Sequence, residues 1–120
     1  MGIEDRQSLA RGGNAEEGPS LLCAGGLTLD RRRRQISCGG HLIHLTPKEC
    51  CLLATLMRHR GQVLSRGFLM RKVWDTDFVG DTRTLEVHIC QLRGKLTQVG
   101  SPPLIRTVRG VGYVFRPEAL

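Results

Sequence analysis

The sequence predicts an α+β domain in which a small antiparallel sheet comes first, a three-helix core follows, and a β-hairpin closes the chain. Three observations lead there. Short alternating apolar runs between Leu21 and Leu45 are broken by Gly39-Gly40. Apolar residues recur at helical spacing in the segment from Cys50 to Leu96. Two strand-like runs, Ile105 to Val108 and Tyr113 to Phe115, flank Arg109-Gly110-Val111-Gly112, where glycines supply the positive φ angles of a turn. A chain of 120 residues supports one modest core, too little for two full-sized ones.

Residues 1–20 carry Gly12, Gly13, Asn14, Gly18 and Pro19 with Glu4, Asp5, Glu16 and Glu17, and few large apolar side chains. They read as a flexible linker or tail, with the folded domain over 21–120. Leu27 and Leu29 alternate first, then Ile36 with Cys38 and Ile43 with Leu45, the last two pairs meeting across a glycine pair suited to a tight hairpin. In Thr46-Pro47-Lys48-Glu49 a threonine stands at the N-cap, a proline at the first helical position and a glutamate at the third, while Leu45 and Cys50 occupy the hydrophobic-staple positions. That helix runs through Leu52, Leu53, Leu56 and Met57 and should stop near Arg58 to Gly61. Ser65 caps a second, shorter helix with Leu69, Met70, Val73 and Trp74. A loop covers 75–80, and Asp81 is placed to cap a third helix that ends before Gly100-Ser101-Pro102-Pro103.

The third helix is the most informative. Leu85, Ile89, Leu92 and Leu96 form one apolar stripe. Opposite it fall Arg83, Val87, Cys90 and Gly94, with Thr84 and Gln91 beside them and Arg93 and Lys95 on the flanks. A helix pair whose second member shows short polar, apolar and cationic groups outward, followed by a hairpin bearing Arg106, Arg109 and Arg116, is the pattern of a winged helix-turn-helix. In that reading helix 81–96 enters the major groove of double-stranded DNA, and wing 105–115 lies on the adjacent backbone or minor groove.

Composition points the same way. Eighteen Lys and Arg against 11 Asp and Glu give a formal charge of +7, which favours a polyanionic partner. No apolar run approaches the roughly 18 residues that span a bilayer, and the N-terminus lacks the apolar core of a signal peptide, so no membrane partner is expected. The five cysteines are odd in number and lack Cys-x-x-Cys spacing, which argues against a disulfide framework and a zinc module. Neither metal nor cofactor is expected. With no phosphate-cradling glycine motif, paired carboxylates or nucleophile with an oriented base, the chain does not read as an enzyme.

Three blocks in order, Leu45-Thr46-Pro47-Lys48-Glu49, Gly80-Asp81-Thr82-Arg83-Thr84-Leu85-Glu86-Val87-His88-Ile89 and Ile105-Arg106-Thr107-Val108-Arg109-Gly110-Val111-Gly112-Tyr113, resemble the OmpR/PhoB-type winged-helix effector domains of bacterial two-component response regulators. The resemblance covers about Leu27 to Arg116. It implies a four-stranded N-terminal sheet, DNA binding as a head-to-tail homodimer on direct-repeat half-sites by a domain that is monomeric alone, and a cytoplasmic, bacterial setting. It also implies that Asp75, Thr76, Asp77, Phe78, Val79 and Gly80 form a loop facing RNA polymerase, and that the full-length regulator carries a receiver domain answering to a sensor kinase. Arg83, Thr84, Val87, His88, Arg93, Thr107 and Arg109 fall on positions resembling the family's DNA-meeting ones. Arg83 and Thr84 in the first turn suit phosphate, Val87 a thymine methyl, Gln91 an adenine edge, and Arg93 a phosphate or guanine, with Lys95 a further cation. Where many relatives carry cations, this chain has Cys90 and Gln91, and Gly94 follows Arg93, so its base preference should differ.

Each feature also has a plainer reading. The outer face with Cys90, Gln91 and Gly94 also fits a winged-helix protein-interaction module that has lost DNA reading. Arg31 to Arg34 suits a nucleic-acid patch or a solvated turn. His88 suits a protonation switch or simple packing, and Cys90 a redox-sensing thiol or an inert group. Phe68, Trp74, Phe78 and Tyr113 read as core and loop anchors, because they do not interleave with basic residues as single-strand binders require.

Overall fold

The structure, a computed structural model, describes residues 20–75 and 83–117. Four short strands come first, β1 (Leu21–Ala24), β2 (Leu27–Asp30), β3 (Gln35–Cys38) and β4 (His41–His44), paired antiparallel in the order β1-β2-β3-β4. Both Gly39 and Gly40 have positive φ, 58° and 89°, as a two-residue turn between right-twisted strands requires. A second turn of the same kind, Gly25-Gly26, with φ 62° and 83°, joins β1 to β2, and its dipeptide carries the same signal in the sequence. The pairings Leu29↔Ile36 and Ile36↔Ile43 align the apolar positions on one face. Leu27, Leu29 and Ile36 are fully buried there.

Helix α1 (Pro47–Arg58) starts as its first four residues predict. The Thr46 hydroxyl accepts from the Glu49 amide at 3.2 Å, and the Glu49 carboxylate accepts from the Thr46 amide at 2.9 Å. This reciprocal pair satisfies two amides that a helix start otherwise leaves open. Leu45 and Cys50, the staple positions, are both buried. Helix α2 (Arg66–Trp74) begins at Ser65, whose hydroxyl accepts from the Phe68 amide at 3.0 Å, and ends at Asp75 in the left-handed region. Helix α3 (Arg83–Gln98) buries the stripe Leu85, Ile89, Leu92 and Leu96 against α1 and α2. It closes with the Ser101 amide on the Leu96 carbonyl and the Gly100 amide on that of Thr97, Gly100 taking φ +85°, so the breaker segment is a Schellman end. The expected cap, Asp81, lies outside the described residues, as do residues 1–19 of the expected linker.

The C-terminal hairpin is β6 (Ile105–Val108) and β7 (Gly112–Phe115), with the Val111 amide bonded to the Val108 carbonyl across a turn tipped by Arg109 and Gly110. The hairpin has a third strand that the sequence pattern does not show. Residues Leu64–Ser65 form a two-residue strand, β5, that pairs with β7, giving a three-stranded sheet β5-β7-β6. Of the two turn glycines only Gly110 has a positive φ, +78°. Gly112 is a strand residue, and a Cβ there would overlap the Leu64 carbonyl oxygen and lie 2.8 Å from its carbon and 2.9 Å from the Ser65 Cα. Close strand approach, not turn geometry, requires glycine at that position.

Candidate nucleic-acid interface

The outer face of α3 is built by the same periodicity that buries its inner one. With Leu85, Ile89 and Leu92 turned to the core, Arg83, Thr84, Val87, Cys90, Gln91 and Gly94 are all exposed. Val87, on this face, is 46% exposed. Beside this face stands the hairpin with Arg106, Thr107, Arg109 and Arg116 exposed and Val111 48% exposed at the turn. The two elements present guanidinium groups at the start of α3 and along the hairpin. The middle of the helix face, Val87, Cys90, Gln91 and Gly94, carries no charge.

Three residues expected on this face are held by intramolecular partners. His88 is half-buried, with Nδ1 2.8 Å from the Thr84 carbonyl. A carbonyl oxygen only accepts, so Nδ1 carries the proton and donates. The His88 ring packs edge-on against Trp74 at 5.0 Å, and Lys48 Nζ lies 6.0 Å over the Trp74 ring while donating to the Val73 carbonyl at 2.9 Å. His88 thus seats α3 on the C-terminal end of α2.

Lys95 points away from the outer face. Its Nζ lies 2.6 Å from Oε1 of Glu49, a carboxylate only 1% exposed. Desolvation raises the Glu49 pKa, but the hydrogen bond from Lys95, the Thr46 amide and the Lys95 charge outweigh it and hold the carboxyl below its usual range. One oxygen therefore caps α1 and binds α3 at once.

Arg93 is turned toward the hairpin. Its Nε and Nη2 donate to the Ile105 carbonyl at 3.2 and 3.0 Å, Nη2 also donates to the Thr107 hydroxyl at 2.8 Å, and the guanidinium lies 5.9 Å over the Tyr113 ring. Arg66 also lies over Tyr113, at 5.4 Å, and pairs with Glu86 at 3.6 Å. These contacts were not visible in the sequence, because they join side chains on different elements at separations that no local pattern records. Tyr113 is buried and Trp74 half-buried against the core, as anchors.

Away from this surface, Arg31 to Arg34 form the β2–β3 turn. The Asp30 carboxylate accepts from the Arg32 and Arg33 amides at 3.0 and 3.1 Å, and Arg34 takes the left-handed conformation with φ 54°. Cys90 is exposed and Cys50 buried, where loss of solvent pushes its thiol pKa up. Of the loop expected to face polymerase only Asp75 is among the described residues; Thr76 to Gly80 lie outside them. No described helix is long and apolar enough to cross a membrane.

The model of a family described as "Transcriptional regulatory protein, C terminal" matches residues 40–115. The chain is 44% identical over 111 residues to the sensory transduction protein RegX3 of Mycobacterium leprae, covering 90% of this chain and 56% of that protein. It is 46% identical over 94 residues to the transcriptional regulatory protein AfsQ1 of Streptomyces coelicolor, covering 78% and 42%. The chain thus spans about half the length of the curated relatives it matches. Among solved structures it resembles the DNA-binding domain of Klebsiella pneumoniae RstA in complex with the RstA box, with a TM-score of 0.73 and 33% identity over 83% of this chain and 100% of that one. The DNA-binding domain of CpxR from E. coli gives 0.72 and 33%, over 82% and 97%.

Proposed function

The chain belongs to the family of transcriptional regulatory protein C-terminal domains, the OmpR/PhoB-type winged-helix effector domains, and from that premise we propose that it binds double-stranded DNA sequence-specifically to regulate transcription. The family is not an enzyme family. One observation carries the reading: the exposed face of α3 and the arginine-bearing hairpin stand side by side, positive at both ends, as a groove-reading helix and a backbone-gripping wing would. On this reading Arg83 and Thr84 meet phosphate or a base at the helix start, Val87 and Gln91 face base edges, and Thr107 and Arg109 reach the adjacent backbone or minor groove. His88, Arg93 and Lys95 support that surface from behind or beside it.

The wider setting belongs to the same proposal. Residues 1–20 link the 21–120 domain to a receiver domain that answers to a cognate sensor kinase in the bacterial cytoplasm. Two copies bind direct-repeat half-sites as a homodimer, and the loop at Asp75 to Gly80 faces RNA polymerase.

Duplex binding measured against salt tests the function. Neutralisation of several phosphates makes log K fall steeply with log salt, with a slope of about −0.9 per phosphate. A flat profile would leave the protein-interaction module instead. Arg83→Ala is expected to weaken binding to the preferred site by about 1 to 3 kcal/mol while changing nonspecific binding much less, if the guanidinium reads a base. Arg109→Ala is expected to weaken all sequences alike and flatten the salt slope by about 1. Both are read by fluorescence anisotropy on specific and scrambled duplexes.

A further inference from the structure

Resting on the DNA-binding reading, we propose that Arg93 is a positioning residue that sets the angle between α3 and the hairpin, so that the cations at the helix start and on the wing reach one duplex together. The hairpin is tied to the rest of the domain through β7, by its pairing with the two residues of β5 and by the Gly61 amide on the Phe115 carbonyl, whereas β6 is the edge strand of that sheet, with β7 as its strand partner. Arg93 supplies what the backbone does not. Its guanidinium holds β6 at two points two residues apart, the Ile105 carbonyl and the Thr107 hydroxyl, which restrains both separation and rotation. A planar fork of N–H groups can do this; a lysine ammonium, a point charge on a flexible stem, cannot hold both acceptors with the same geometry.

Behind that grip stands Tyr113, the register partner of Thr107, with Arg93 over its ring at 5.9 Å and Arg66 over it at 5.4 Å. Because Arg66 also pairs with Glu86, α3 is coupled to the hairpin at two levels, one direct and one through α2. The charge distribution makes this coupling matter. The middle of the reading face is uncharged and Lys95 pairs with Glu49, so the exposed arginines of this surface stand apart, Arg83 at the helix start and Arg106, Arg109 and Arg116 on the hairpin. Two such grips reinforce each other only when a fixed span lets both engage at once.

The test is a double-mutant cycle of Arg93→Gln and Arg109→Ala, on a duplex selected by the wild-type chain from a random library, paired with amide hydrogen exchange on the DNA-free proteins. Arg109→Ala, costing about tenfold in affinity in the wild type, is expected to cost less than about twofold in the Arg93→Gln background, a coupling of the size seen for directly linked residues. Salt slopes of the two single variants and the double variant should coincide. Without DNA, amide exchange over 106–111 should accelerate at least about tenfold in Arg93→Gln and also in Thr107→Val, while α1 keeps its protection and Thr107→Ser matches the wild type. If the two affinity losses multiply and the slope flattens by about 1 for each substitution, Arg93 is itself a phosphate contact and the inference is overturned with the DNA reading intact. Unchanged exchange in the hairpin overturns it equally. Absence of salt-dependent duplex binding by the wild type overturns the DNA reading instead.

Discussion

Gly112→Ala is expected to destabilise the domain by about 3 kcal/mol or more, the upper part of the range for forcing an extra methyl group into packed structure. The reason is the identity of the neighbour. Flexible side chains can move aside for a new methyl, but the Cβ at Gly112 meets the Leu64 carbonyl and the Ser65 Cα, backbone atoms of the adjacent strand. To admit it, β5 must leave β7, losing the Leu64↔Tyr113 and Ser65↔Gly112 pairings and exposing part of Leu64 and Tyr113, both buried in the wild type. Thermal unfolding should show a midpoint about 12 to 24 °C lower, at about 4 to 8 °C per kcal/mol for a domain of this size. Gly110→Ala is the control. It has a positive φ of 78° but nothing within 4 Å of the added methyl, so only left-handed strain of about 1 to 2 kcal/mol applies. Equal effects from the two substitutions would refute the close-approach argument.

Lys95→Met is expected to cost about 3 kcal/mol, the lower end for breaking a buried ion pair, because the Lys95 side chain keeps 28% of its exposure while Glu49 keeps 1%. The methionine retains the length of the apolar stem but leaves the Glu49 carboxylate buried, with the Thr46 amide still donating to it. Glu49→Gln should cost less, since an amide oxygen still accepts from both Thr46 and Lys95 without demanding a counter-charge. The pH dependence follows from the depressed pKa of Glu49. A group whose folded pKa lies below its unfolded value contributes stability above the unfolded value and loses it as pH falls through the folded one. The stability advantage of the wild type over Glu49→Gln should therefore be constant near neutrality and shrink from about pH 4.5 downward. Urea denaturation of both proteins between pH 7 and pH 3 measures it; an advantage that grows on acidification would contradict the lowered pKa.

Gly112→Ala and Lys95→Met act on different parts of the domain. Gly112 holds the wing sheet together, whereas the Glu49–Lys95 pair joins the start of α1 to the last turn of α3. Neither touches the outer face of α3. Each should nevertheless weaken duplex binding, because Gly112→Ala frees the hairpin and Lys95→Met loosens the helix that carries Arg83 and Val87.

Local chemistry made much of the architecture legible. The capping box at Thr46 to Glu49, the Ser65 cap, the Gly39-Gly40 turn and the stripe from Leu85 to Leu96 each depend on residues within a turn or two of one another, so their signals survive in a linear string. The exposed face of α3 follows from the stripe by geometry alone. By contrast β5 is two residues long, too short for any period, and it exists because β7 offers it a partner nearly fifty residues later.

Periodicity and composition therefore fix the order of the elements other than β5, the buried and outward faces of α3, and the cationic character of helix and hairpin. Packing between elements, which no local pattern records, gives Arg93 and Lys95 their partners on the hairpin and on α1. Glu49 and Lys95 are 46 residues apart, and Arg93 and Thr107 fourteen, yet packing brings each pair within 2.8 Å or less. An ammonium or guanidinium near a buried or backbone oxygen turns inward because the lost hydration of that oxygen must be replaced, and which oxygen lies in reach is a property of the fold.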